Sequence, residues 1–98
     1  MEVKDDNIKI VMDENVGQGT YSNLAMVAHS QSEFVLDFLR VVPGVKTARV
    51  HSRIIMTPEH AKRLLRALGE NIKNYEHVNG EIRLPEDAFK GGNPVGEA

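Results

Sequence analysis

The chain has 98 residues, 41% of them apolar and 27% charged, which bounds it to one small domain with a modest core. Twelve basic against fourteen acidic residues leave a net charge of −2 at pH 7, which argues against a protein that coats nucleic acid by bulk charge. There is no cysteine, which excludes disulfides and thiolate metal sites, and no apolar run approaches the ~20 residues of a membrane span.

In chain order, residues 1–6 are charged and expected to fray. Ile8, Ile10 and Met12 then alternate with Lys9 and Val11, the pattern of a first short strand. Asp13 to Thr20 is a polar loop with Gly17 and Gly19. It lacks the third glycine, the Lys-Ser/Thr pair and the following helix of a phosphate-binding loop, so a plain turn is preferred. Tyr21 to Ala28 reads as a second strand with Leu24, Met26 and Ala28 toward the core. Ala, Leu and Met also favour helix, but the short polar connection His29–Ser32 has hairpin size.

The centre of the chain is the stretch from Ser32 to Glu76. Phe34, Leu36 and Phe38 alternate with Val35, Asp37 and Leu39, and beyond a Pro43-Gly44 turn Ala48, Val50 and Ile54 alternate with Arg49, His51 and Arg53. Proline and glycine suit type I or II geometry, which two-residue hairpins avoid, so a three-residue loop is expected. That loop pairs Phe38 with Val50, Phe34 with Ile54 and Asp37 with His51. The second face then carries Asp37, Arg49, His51 and Arg53 beside Val35 and Leu39, as a cross-strand charge ladder or as a candidate interaction patch.

Thr57-Pro58-Glu59 is a helix start, with a capping hydroxyl, a proline for the first helical position and an acid at the positive end of the dipole. Ala61, Leu64, Leu65, Leu68, Ile72 and Tyr75 form one apolar stripe, expected to lie on the Phe34/Leu36/Phe38 face. Lys62, Arg63, Arg66 and Lys73 point elsewhere, an ordinary solvated face or a candidate phosphate-contacting one. Gly69 suggests a close backbone approach or a bend within the helix. Asn79-Gly80 ends it, Glu81–Leu84 offers a short edge strand, and residues 86–98 are expected to be a disordered tail beyond a single domain of residues 1–85.

The expected fold is therefore α+β: an antiparallel sheet of about four strands in the order β-β-β-β-α, with one long C-terminal helix on one face. The uncovered second face, carrying Val27, Val35, Leu39, Val41 and Ile55, points to a second copy or a protein partner rather than to an enzyme. His29, His51, His60 and His77 show no metal-ligand spacing, the serines have no nucleophile-elbow context, and no cofactor is implied. The absence of cysteine and of a signal peptide at the start fits a cytoplasmic protein.

Tyr21-Ser22-Asn23, the run from Ser32 to Phe38, Pro43-Gly44, the run from Ser52 to Leu64, Tyr75-Glu76 and Gly80-Glu81-Ile82 resemble a small bacterial family known as domain of unknown function 3467, DUF3467. The resemblance covers about Ile8 to Ile82. It implies a cytoplasmic bacterial protein with no catalytic residues to carry over, from a family found in Bacteroidetes beside genes for RNA polymerase subunits. That association raises a transcription-associated or nucleic-acid-binding accessory role as the alternative to self-association. Four strands leading into a long helix are also similar in topology to the export chaperone SecB, which implies oligomers that bind unfolded polypeptide.

Overall fold

The computed structural model describes residues 7–89 of the chain. In order, the elements are α1 (Glu14–Gly17), β1 (Leu24–His29), β2 (Phe34–Leu39), β3 (Val50–Met56), α2 (Pro58–Asn79) and α3 (Pro85–Phe89). The fold is α+β, with an antiparallel sheet ordered β1-β2-β3 and one long helix. The chain divides at the Met56–Thr57 junction into two compact units, the sheet with its loops and the helical segment.

Among the described residues the sheet has three strands rather than about four. Residues 8–12 alternate as a strand should, yet they adopt no strand and make no backbone hydrogen bond among the described residues. Alternation shows only that a segment could pair; a ladder also needs a neighbour to exchange hydrogen bonds with. The edge strand expected at Glu81–Leu84 is likewise irregular backbone. Pro85 opens a short helix through Phe89, where a disordered tail was expected from residue 86, and residues 90–98 lie outside the described part.

A tight hairpin joins β1 to β2. Ser30 N–H donates to Glu33 O at 2.9 Å, and the Ser30 hydroxyl accepts from the amides of Ser32 and Glu33. Closure between residues 30 and 33 sets His29 opposite Phe34, Val27 opposite Leu36 and Ala25 opposite Phe38. Residues 25, 27 and 29 therefore share the phenylalanine face, and the expected core row of Leu24, Met26 and Ala28 lies on the other side. His29 stacks on Phe34 with ring centroids 5.2 Å apart.

The β2–β3 connection also corrects the expected register. Pro43-Gly44 does form a turn, closed by Val45 N–H to Val42 O at 3.1 Å with Gly44 at φ 85°, the type II geometry that calls for glycine. It sits inside a long connection over residues 40–49 rather than a three-residue loop. Phe34 pairs with Met56, Leu36 with Ile54 and Asp37 with Arg53, two residues away from the expected partners. The two-residue offset preserves the faces, so Ile54 still joins the phenylalanine row. A bulge between Phe38 and Leu39 takes up His51 and turns Val50 to the Leu39 side.

The helical unit starts as the sequence dictates. Thr57 Oγ1 accepts from His60 N–H at 3.1 Å, Pro58 takes the first turn, and Gly80 closes the helix at φ 93°, donating to Glu76 O at 2.9 Å. A Cβ added at Gly69 would meet nothing within 4 Å, so the expected close approach is absent there.

Candidate interaction surface

The middle strand contributes most of what the sheet buries. Among the described residues, the buried hydrophobic side chains are Leu39 and Met56, at 6% and 8% exposure, and the buried polar one is Asp37 at 8%. A carboxylate in that position needs a partner, since burial penalises its charge. The register supplies Arg53 directly opposite. Arg53 Nε and a terminal guanidinium nitrogen donate to the two carboxylate oxygens at 2.7 and 2.9 Å, a planar two-bond fork. That fork holds the Asp37 carboxyl below its ordinary value, against the smaller upward push of burial. The Arg53 side chain is itself 61% exposed, so the fork leaves part of its guanidinium open to solvent.

The other candidate patch residues scatter. Val35 is half-buried beside Asp37, while Leu39 is buried and supplies almost no accessible surface. Arg49 lies in the connection before β3. His51 does not pair with Asp37: its Nε2 lies 3.1 Å from Tyr21 O, ahead of β1, and its Nδ1 3.1 Å from Ser52 Oγ beside it on β3. A carbonyl can only accept, so Nε2 carries the proton and, in the neutral ring, Nδ1 accepts from the Ser52 hydroxyl. The expected four-residue polar ladder is therefore one ion pair, one exposed arginine and one histidine bound to the backbone.

Tyr21-Ser22-Asn23 has a structural job that periodicity could not reveal. The Asn23 amide accepts from Val41 N–H at 2.7 Å and donates to Val41 O at 3.0 Å, copying a strand pair beyond the end of β2. Ser22 Oγ donates to Leu39 O at 2.9 Å, and the Tyr21 ring lies 5.5 Å from the Arg40 guanidinium carbon. Tyr21, Asn23, Arg40 and Val41–Pro43 line a shallow, open cleft of about 500 Å³. The sequence signal for this corner is a side-chain amide just before a strand, which is too common to single out.

Around the sheet, large apolar side chains remain open on both faces. Leu24, Met26 and Ile55 are exposed on the Asp37 face, and Val27 and Ile54 on the phenylalanine face. On α2, Leu65, Leu68, Ile72 and Tyr75 are exposed as well. Lys62, Arg63, Arg66 and Lys73 are all exposed on the helix, but they do not form a purely basic surface. At about 100° per residue, Glu59 and Glu70 fall between Arg66 and Arg63 on the same arc. The described residues hold no group of three or more His, Asp or Glu placed to bind a metal ion, and no helix long and apolar enough to cross a membrane.

The sequence model of a family described as "Protein of unknown function (DUF3467)" matches residues 1–84. No curated protein and no solved structure matches the chain. The topological likeness to SecB therefore has no matching structure behind it, and the three-strand sheet removes the four-strand order on which it rested.

Proposed function

The chain belongs to the DUF3467 family of proteins of unknown function, and we propose that it is a non-enzymatic, homo-oligomeric protein-interaction module acting in the bacterial cytoplasm. The observation that carries this reading is how little apolar surface the chain hides. Only two large hydrophobic side chains are buried among the described residues, while aliphatic residues stand open on both sheet faces and along α2. Stable monomers rarely leave contiguous apolar patches of more than a few hundred Å² in water, whereas subunits that complete their cores by association do. The ion pair fits the same reading: the Asp37–Arg53 fork neutralises a charge within an otherwise apolar face.

The nucleic-acid alternative has weaker support, because Glu59 and Glu70 interrupt the basic arc of the helix. Concentration dependence separates self-association from a solitary fold. If folding and assembly are linked, the thermal midpoint rises with protein concentration over a hundred-fold range. A midpoint independent of concentration, with no salt-sensitive binding to DNA or RNA, would leave partner capture by a different protein as the remaining role.

A further inference from the structure

Two parts of the sheet unit lack something each could give the other. Residues 8–12 carry the alternation of a strand, make no backbone hydrogen bond among the described residues, and expose Ile8, Ile10, Val11 and Met12. Among the described residues the outer edge of β1 pairs with no strand. Ser30 N–H bonds to Glu33 O, and alternation from that pair turns the peptide groups of Ala25, Val27 and His29 to the open side.

This edge lacks the charged side chains, the prolines and the bulges that blunt an exposed strand. Leu24–His29 contains no lysine, arginine, acid or proline, and its register with β2 is unbroken. The opposite edge, β3, is protected by Arg53 and by the bulge at His51. Val27, 63% exposed, ends an apolar cross-strand row that runs through Leu36 to Ile54. An antiparallel strand with Ile10 opposite Val27 extends that row by one residue and sets Ile8 beside His29 and Met12 beside Ala25.

We infer that residues 8–12 of one copy form a fourth strand on the β1 edge of a second copy, exchanged reciprocally about a two-fold axis. Among the described residues both segments are left unpaired, and a second copy offers each of them the complement it lacks. Exchange closes after two subunits, and it pairs both orphan segments of each chain, whereas β1 against β1 would leave residues 8–12 unpaired. The inference rests on the self-association reading and specifies its contact.

The test uses the full chain, whose lack of cysteine makes cross-linking unambiguous. One preparation carries Ile10→Cys, a second carries Val27→Cys with a different tag, and the two are mixed and oxidised. A mixed disulfide between the preparations is expected. In parallel, Ile10→Pro, which removes a ladder donor, is expected to weaken the dimer roughly ten-fold or more while leaving the circular dichroism of the subunit intact. Failure of the mixed disulfide, or a prominent link between two Val27→Cys copies, overturns strand exchange. So does a purely intramolecular link in the double variant Ile10→Cys/Val27→Cys. Equal assembly of the unmodified chain and the Ile10→Pro variant overturns the exchange and leaves self-association standing; an unmodified chain that never assembles overturns both.

Discussion

At the residue scale the account turns on Asp37, the charged group that the sheet buries. Its folded pKa lies below the ordinary carboxylate value of about 4, because the Arg53 fork favours the ionised form. The stabilisation this gives is complete above the unfolded value and is lost as pH falls through the lower, folded one. Stability measured from pH 7 downward should therefore decline below about pH 4, and Asp37→Asn should remove this group's share of the decline. Arg53→Ala makes a sharper test. Without the arginine, burial is the remaining influence and raises the Asp37 pKa, so this group's contribution should reverse and favour the fold as pH falls. An unchanged pH profile in both variants would mean that the fork carries no stability. The sequence placed Asp37 and Arg53 on one face but matched Asp37 with His51, because the bulge and the long connection that set the register leave no periodic trace.

At the element scale the most legible part is the helix. Thr57, Pro58 and the Asn79-Gly80 end act locally, within a turn of the backbone they control, so short-range chemistry suffices to locate both ends. Thr57→Ala should cost about 1 kcal/mol of stability, read from urea unfolding. Gly69→Ala should instead stabilise by roughly 0.5–1 kcal/mol, since the added methyl meets no atom and the glycine has only entropy to lose. A destabilising Gly69→Ala would mean that another chain packs closely against the helix at that point. The strands were legible as segments but not in their pairing. The β1 faces depended on a hairpin closed at Ser30 and Glu33, and the first strand depended on a neighbour that residues 8–12 do not have among the described residues. Pairing is a long-range property, and a pattern of alternation does not encode the partner.

At the scale of the whole molecule, the open sheet faces, the β1 edge that no described residue pairs and the exposed stripe of α2 share one physical consequence. Each leaves apolar surface or backbone hydrogen-bonding groups facing water, at a cost that association removes. Membership of DUF3467 ties the chain to a family without an assigned activity, so the case for self-association stands on these surfaces. The most direct measurement is sedimentation equilibrium of the full chain across a wide concentration range at physiological salt. A dimer or a multiple of it, dissociating only on dilution, is the predicted result. A monomer of 10.9 kDa at every concentration, unfolding cooperatively, would contradict the account.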